Sequence, residues 1–126
     1  FLMSISCNYL IGKNHEGSPL AHIPPFNGKI SLDYTLDNHT LAVFSHYNAW
    51  KLAKDYDDAG IDNLSEATID GTPSWHTLNF TYRNKINSNM SASFTIKNIL
   101  DLHYKTFASG ISASGRNFIF TLRTSL

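Results

Sequence analysis

The most restrictive feature of the chain is residues 115–126, in which apolar and polar side chains alternate. Because successive side chains of a β-strand point to opposite faces, this spacing gives a strand with one apolar and one polar face. The apolar face carries Phe118, Phe120, Leu122 and Leu126. The other face is polar apart from Ile119, with Thr121, Arg123 and Ser125. A strand of this length matches a bilayer crossing and predicts a wall between hydrocarbon and water.

Composition alone would indicate a soluble domain, since the 126 residues carry ten basic and ten acidic side chains and the mean hydropathy is -0.21. A membrane β-barrel has similar averages, because a polar interior residue accompanies almost every lipid-facing apolar one. No apolar run approaches the roughly 20 residues of a spanning helix, which excludes helical membrane proteins. Zero net charge argues against nucleic-acid binding, which needs a basic surface.

Six segments alternate in this way, at residues 1–8, 29–34, 40–50, 76–83, 90–97 and 116–126. The connections between them are alternately long and short, with loops at 12–25, 54–74 and 101–114 and turns at 36–39 and 87–89. Outer-membrane barrels place short turns on the periplasmic side and long loops outside the cell. We therefore predict an all-β fold, an antiparallel transmembrane β-barrel segment of about six strands. A soluble sandwich would not so readily place every long loop at one end.

The two predicted faces assign roles to individual residues. Residues 40–50 fit either phase, with Leu41, Val43 and Tyr47 outward or with Ala42, Phe44 and Trp50 outward, and the first is favoured. Candidates for the barrel lumen are the charged residues Lys29, Asp33, Arg83, Lys97 and Arg123. Aromatic rings near strand ends are expected at the headgroup boundary, namely Tyr9, Tyr34, Tyr47, Trp50, Trp75 and Tyr82.

Three segments resemble the C-terminal barrel of TonB-dependent outer-membrane receptors, closest to those of the Bacteroides lineage. They are residues 70–79, 97–104 and 109–118, with Gly-x-Pro-Ser-Trp, Asn-Ile-Leu-Asp and Gly-Arg-Asn-Phe as the most specific elements. The matching positions are Gly71, Pro73, Trp75, Asn98, Asp101, Tyr104, Gly110, Gly115, Arg116 and Asn117. The similarity runs from about Gly17 to the end of the sequence.

The resemblance implies a Gram-negative outer-membrane location and a 22-strand barrel around an N-terminal plug. Residues 1–126 would be about its last six strands, with the plug and upstream strands absent from this sequence. Implied partners are outer-membrane lipid, the rest of the barrel with its plug, and the inner-membrane TonB complex that supplies energy. The imported nutrient would be a siderophore, haem, cobalamin or glycan. The sequence departs from the family in ending with Leu126, where the barrels usually end in Phe.

The acidic loop matches part of a calcium-binding loop pattern, with oxygen-bearing side chains at several of the ligand positions and Gly60 at the turn. Ala59 occupies one ligand position and no helix is predicted on either side, so a solvated acidic loop is favoured. The candidate ligands are Asp55, Asp57, Asp58 and Glu66. Otherwise we expect no metal, cofactor or catalytic residue, because no nucleophile with a neighbouring base is recognisable.

Two other functions remain open from the sequence. A small soluble β-barrel or sandwich that binds a carbohydrate or apolar ligand would need no membrane. A scaffold component of a larger surface complex would have a stable partner chain. The expected function is nevertheless binding and gated import by a TonB-dependent receptor, without enzymatic activity.

Overall fold

The computed structural model describes residues 1–125, so Leu126 of the predicted apolar face lies outside the described residues. Six strands form one antiparallel sheet: β1 (Leu2–Asn8), β2 (Asn27–Leu36), β3 (His39–Asn48), β6 (Trp75–Lys85), β7 (Met90–Lys97) and β8 (Asn117–Thr124). The two remaining strands of the described chain pair as a short ribbon, β4 (Lys51–Leu52) and β5 (Gly71–Thr72). Two 3-10 turns, Ala53–Asp55 and Leu64–Glu66, lie between the ribbon strands.

The sheet order is β1-β2-β3-β6-β7-β8, so every neighbouring pair in the large sheet is also consecutive along the chain once the ribbon is set aside. This up-and-down order is that of a barrel wall rather than of a Greek-key sandwich. The predicted fold class, an all-β antiparallel β-barrel segment, is confirmed. Within residues 1–125, no helix has both the length and the apolar character needed to cross a membrane.

Short polar turns close two of the hairpins at the same end of the sheet. In the β2–β3 turn Asp37 adopts a φ of 50°, a conformation that Asp and Asn tolerate better than most residues. The Thr35 and Thr40 hydroxyls are 3.2 Å apart across the hairpin. The β6–β7 turn is closed by a hydrogen bond from the Ile86 amide to the Met90 carbonyl, 2.9 Å long. Both turns were expected from their Asp, Asn and Ser content.

The register collects the apolar residues of all six strands on one face. One row across the sheet consists of Met3, Leu32, Val43, Phe80, Ile96 and Phe118. The next row towards the turns continues from Tyr34 through Leu41, Tyr82, Phe94 and Phe120. Leu41, Val43 and Tyr47 therefore share a face with the apolar side of β2, which confirms the favoured phase of residues 40–50.

The apolar face is not covered by another layer of the described chain. Tyr56, 4% exposed, is the hydrophobic residue buried among residues 1–125, and it lies in a loop rather than against the sheet. On the apolar face Phe118 is 61% exposed and Phe120 is 72% exposed. A self-contained sandwich or small soluble barrel would bury these side chains in a core. The open sheet lacks that core.

The opposite face is polar and includes one aromatic side chain that the sequence assigned elsewhere. Trp75 begins β6 in phase with Thr77 and Asn79, and it borders a cavity with these polar-face residues. The prediction that Trp75 belongs to an aromatic belt on the lipid side is therefore wrong. Strand-end position alone indicates proximity to the boundary, whereas the parity of the strand decides the face.

Candidate functional site: the loop cap and the polar face

Three long segments gather at the end of the sheet opposite the short turns, and we call them the loop cap. They are residues 9–26, 49–74 and 98–116. Their mutual hydrogen bonds and aromatic contacts make them one packed unit. The cap therefore presents a defined surface at one end of the sheet rather than three independent loops.

Lys51 lies at the centre of the cap and joins all three segments. Its Nζ donates to the Ile23 carbonyl oxygen at 2.6 Å and lies 5.0 Å from the ring centroid of Phe107 and 5.8 Å from that of Tyr56. The Tyr56 hydroxyl is 2.7 Å from the Thr72 hydroxyl. Burial lowers the pKa of Lys51, an effect that nearby carboxylates of the acidic loop partly offset. The ammonium group is thus held by a carbonyl, two aromatic faces and the surrounding negative charge.

Asp62 ties the first segment of the cap to the second. Its carboxylate is fully buried and accepts the His22 amide at 3.0 Å on both oxygens, with the His22 Nδ1 3.2 Å away. The Asp62 amide in turn donates to Asp57 Oδ2 at 3.0 Å, and the Ile61 amide donates to Asp57 Oδ1 at 3.0 Å. These amide bonds, that of Ile61 first, hold the pKa of Asp57 below its usual value.

The third segment is attached to the second by two polar side chains. The Asn63 side-chain amide donates to the Ala108 carbonyl at 3.0 Å. Lys105 Nζ donates to the Glu66 carbonyl at 2.9 Å and lies 3.7 Å from the Glu66 carboxylate. The loop following β7 is therefore fixed to the acidic loop at two points.

The calcium candidates of the acidic loop do not converge on a common point. Asp57 is turned towards backbone amides and Glu66 towards Lys105, while Asp55 and Asp58 are exposed. Among residues 1–125, no group of three or more His, Cys, Asp or Glu side chains is placed to hold a metal ion. The acidic pattern instead supplies acceptors for the loop's own backbone.

Asn98, from the second family-like motif, organises the loop after β7. It is 3% exposed and has a φ of 51°. Its backbone amide donates to Asn79 Oδ1 at 2.9 Å. Its side chain bridges the turn, donating to the Leu102 carbonyl at 2.9 Å and accepting the Leu102 amide at 3.0 Å. This side chain replaces the backbone pairing that the chain loses where β7 ends.

The far end of the same loop is fixed by hydrogen bonds and close packing among Asp101, Gly115 and Arg116. Asp101 has a φ of 55°, and its Oδ1 accepts the Arg116 amide at 2.7 Å. A Cβ at position 115 would lie 2.7 Å from that same oxygen, so a larger residue there would displace the Asp101 carboxylate. Arg116 Nε donates to the Ile99 carbonyl at 3.0 Å. The motif residues thus form a turn after which Asn117 pairs with Lys97 at the start of the β7–β8 register.

The first family-like motif shapes the entry to β6. Gly71 has a φ of 105°, and a Cβ on it would collide with the Lys51 carbonyl oxygen in the β4–β5 ribbon. Trp75 packs against Tyr104 with ring centroids 4.3 Å apart, and its Nε1 is a buried donor without a partner in the described chain. Pro73, Trp75 and Tyr104 border a cavity of about 360 Å³. Gly110, by contrast, is exposed, and a Cβ there would meet the Glu66 Cγ at an ordinary contact distance of 4.0 Å.

The five lumen candidates all lie on the polar face of the sheet, in four different strands and at different depths. They are Lys29 and Asp33 in β2, Arg83 in β6, Lys97 in β7 and Arg123 in β8. The ion pairs of residues 1–125 lie instead in the loop cap. That this face lines a lumen stays a prediction.

Sequence reasoning missed the residues that hold the cap together, above all Lys51, Tyr56, Asp62 and Phe107. They come from distant parts of the chain and match no spacing pattern. A weak signal was available for Asp62, since a carboxylate in a loop rich in Asp and Asn favours local backbone contacts. Its contact with His22, forty residues away, leaves no mark on the sequence.

Comparison with known proteins supports the fold. No protein-family model matches the chain, and no curated protein matches it. Fifteen chains of solved structures match, among them the copper transporter OprC, with a TM-score of 0.83 and 17% sequence identity. The alignment covers 98% of this chain but 21% of OprC, so the chain spans about a fifth of that transporter. At this identity the likeness shows the fold alone.

Proposed function

We propose that this chain is part of the wall of a TonB-dependent outer-membrane receptor that imports a scarce nutrient into a Gram-negative bacterium. The observation that carries the proposal is the two-faced sheet: its apolar face has no Asp, Glu, Lys or Arg in the six strands. Hydrocarbon tolerates such a face, and the polar face would then line the interior. The fold shared with a copper transporter is consistent with a role in transport.

The loop cap is proposed to lie on the cell surface and to help capture the ligand. All three long segments lie at one end of the sheet, as in barrels whose long loops are extracellular. The proposed nutrient is a siderophore, haem, cobalamin or glycan. Because OprC is a copper transporter, copper is included among the candidate ligands to be tested. This part of the protein would bind and gate, with no bond made or broken. Energy coupling would use the plug and the inner-membrane TonB complex, which act through other parts of the receptor.

Location and orientation are tested by fractionation and cysteine labelling of the protein produced from its native gene. The natural Cys7 is exposed and is first replaced by Ser. Single cysteines are then introduced as Ser65→Cys in the cap and Ser88→Cys in a short turn, both at exposed positions. We expect outer-membrane fractionation, labelling of Ser65→Cys by a membrane-impermeant maleimide on intact cells, and labelling of Ser88→Cys only after permeabilisation.

Recovery in a soluble fraction without detergent would overturn the membrane location and favour a binding module. Labelling of Ser88→Cys on intact cells with Ser65→Cys protected would reverse the proposed orientation. Transport is tested separately, by uptake of each candidate nutrient in a deletion strain with and without an uncoupler of the inner-membrane proton gradient. The receptor proposal requires uptake of one nutrient to need both the gene and the gradient.

A further inference from the structure

A cavity of about 420 Å³ lies between the first segment of the loop cap and the start of the second. Most of its lining is apolar, and the charged residues of the lining are Lys13, Lys51 and Asp55. Tyr9 and Ile11, which also border it, are each 70% exposed. An apolar cavity that the described chain leaves this open is suited to binding an apolar group.

The cavity continues the apolar face of the sheet at the end where the cap begins. Phe26 and Ala49 border it. The Ala49 amide donates to the Phe26 carbonyl at 2.8 Å, which extends the β2–β3 pairing one step beyond Asn27 and Asn48. Because side chains alternate along each strand, Phe26 shares the face of Ile30, and the two asparagines of the opposite face are not in the lining.

Aromatic rings mark the depth of the cavity. Tyr9 and Trp50 border it, and the Trp50 Nε1 donates to the Asp70 carbonyl of the cap at 3.2 Å. The rings of Phe26 and Tyr47 lie 6.2 Å apart beside them. Tyr and Trp rings with one apolar and one polar end favour the headgroup level of a membrane. The cavity therefore lies where the hydrocarbon would meet the headgroups.

Lys13 is the cation of this lining that is available to a ligand. It is exposed, and neither ion pair of residues 1–125 includes it. Lys51 is instead committed to the cap through the Ile23 carbonyl and two aromatic rings. A lysine at the membrane surface attracts the anionic phosphate of a lipid headgroup.

Apolar lining and a lysine together fit a phosphorylated acyl lipid. An acyl chain in the cavity would remove Tyr9 and Ile11 from water, and its phosphate would then lie at the level of Lys13. A free phosphate would leave the apolar lining uncovered, whereas an uncharged hydrocarbon would leave Lys13 without a partner.

We propose that the cavity binds a phosphorylated acyl lipid of the outer leaflet, with an acyl chain against Phe26 and Ala49 and the phosphate at Lys13. The inference rests on the proposed function, which places this end of the sheet at the outer surface of the outer membrane. It adds a specific lipid site at the junction of the sheet and the cap. The bound lipid would fix the first segment of the cap to the membrane surface.

Native mass spectrometry of the full-length protein tests the proposal. The protein is purified from the outer membrane in mild detergent, depleted of lipid and titrated with diphosphorylated lipid A. We expect one lipid molecule to be retained per protein and not to be displaced by a large excess of inorganic phosphate. Displacement by phosphate alone would assign Lys13 to a free anion and would overturn the proposal, as would failure to retain any lipid.

Two pairs of variants separate the acyl chain from the phosphate. Ala49→Leu fills the cavity and should weaken lipid retention by about fivefold or more, whereas Ala92→Leu adds the same atoms to the apolar face outside the cavity and should not. Lys13→Gln should weaken retention by about fivefold, whereas Lys54→Gln, an exposed lysine outside the lining, should not. Equal retention within each pair would indicate a general lipid belt and would overturn the proposal.

Photo-cross-linking in the native membrane identifies the occupant directly. Ile11→Cys, in the Cys7→Ser background, is modified with a benzophenone maleimide and irradiated, and the adduct is identified by mass spectrometry. We expect a phosphorylated acyl lipid. An adduct with a peptide of the same protein would show that another part of the chain fills the cavity, and would overturn the proposal.

Failure of the proposed function is recognised separately. The Ile11→Cys protein is fractionated before irradiation, so recovery outside the outer membrane contradicts the receptor proposal. Heat-modifiable assembly of each variant is confirmed before lipid is added, which separates loss of the site from loss of the fold. An assembled outer-membrane protein that retains no lipid contradicts only the inference about this cavity.

Discussion

At the scale of single residues, the positions that resemble the receptor family are structural. Asn98 and Asp101 both adopt positive φ values, and each uses its side chain to accept a backbone amide of the loop it begins. Short amide and carboxylate side chains are the non-glycine residues best suited to this conformation. The motif elements are therefore explained by turn geometry, without any contact to a ligand.

Replacing Asn98 by alanine should destabilise the protein by about 2–4 kcal/mol. Two side-chain hydrogen bonds to Leu102 are lost, each contributing about 1 kcal/mol, and alanine at positive φ adds strain. Asn98→Gly loses the same bonds without the strain and should be less damaging. Thermal unfolding of the purified protein in detergent measures both, with Ser88→Ala in an exposed turn as the control. Equal unfolding temperatures for Asn98→Ala and the control would show that the Asn98 side chain is dispensable.

Gly71→Ala should disrupt the packing of the loop cap more than any other glycine substitution outside the sheet. The added methyl group collides with backbone atoms of the β4–β5 ribbon, and φ at this position is 105°. Gly60→Ala is the matched control, because its φ of 73° is also positive but nothing lies within 4 Å of the added atom. We expect faster cleavage of residues 54–66 in Gly71→Ala when intact cells are treated with protease. Similar cleavage rates in the two variants would mean that the positive φ, and not the collision with the ribbon, determines how far the substitution destabilises the cap.

At the scale of elements, period-two alternation was enough to predict the strands. Each alternating segment overlaps a strand of the six-stranded sheet, and Asn and Asp clusters located both tight turns. The β4–β5 ribbon was not predicted, because two-residue strands have no period to detect. The predicted face of Trp75 was also wrong, since it rested on the strand-end position of Trp75 and not on its parity with Thr77 and Asn79.

The contacts within the loop cap were beyond prediction for a different reason. Three of these contacts join segments that are far apart in the sequence, namely His22–Asp62, Lys51–Phe107 and Asn63–Ala108. A single sequence carries local propensities but no record of which distant residues meet. The acidic loop shows the effect, because its oxygen-rich spacing indicated a cation whereas the structure directs Asp57 to the loop's own amides.

The acidic loop should loosen at low pH because of Asp57. The amides of Ile61 and Asp62 stabilise its ionised form and lower its pKa in the folded state. The stabilising contribution is therefore complete above the unfolded pKa of about 3.9 and is lost as the pH falls through the lower folded value. Amide hydrogen exchange at Ile61 and Asp62 should accelerate in that range beyond the intrinsic pH dependence. Asp57→Asn should remove this extra acceleration, whereas the neighbouring Asp58→Asn should keep it, and an unchanged profile in Asp57→Asn would assign the effect to another group.

At the scale of the whole molecule, the described chain is a single large sheet without a hydrophobic core packed against it. Large apolar side chains of its apolar face are exposed in β1, β2, β3, β7 and β8 and half-buried in β6. The edge strands β1 and β8 each pair with one neighbour in the described chain. In hydrocarbon, unpaired edge groups cost several kcal/mol each, so a membrane-embedded sheet must close through further strands. In the proposed receptor, membrane lipid would cover the apolar face and the other strands of the barrel would pair with the edges of β1 and β8.

Leu32→Arg tests this arrangement most directly, because Leu32 lies in the central apolar row. A cation near the middle of the lipid face of a barrel costs about 2–4 kcal/mol, whereas a lumen-facing one is hydrated. We therefore expect a marked loss of assembled, heat-modifiable protein from the outer membrane for Leu32→Arg and a small effect for Ser31→Arg, its neighbour on the polar face. Both variants add the same side chain to the same strand, so strand propensity and protein synthesis are matched. If Ser31→Arg were the more damaging of the two, the polar face would be the packed side, and the orientation proposed for the entire sheet would have to be reversed.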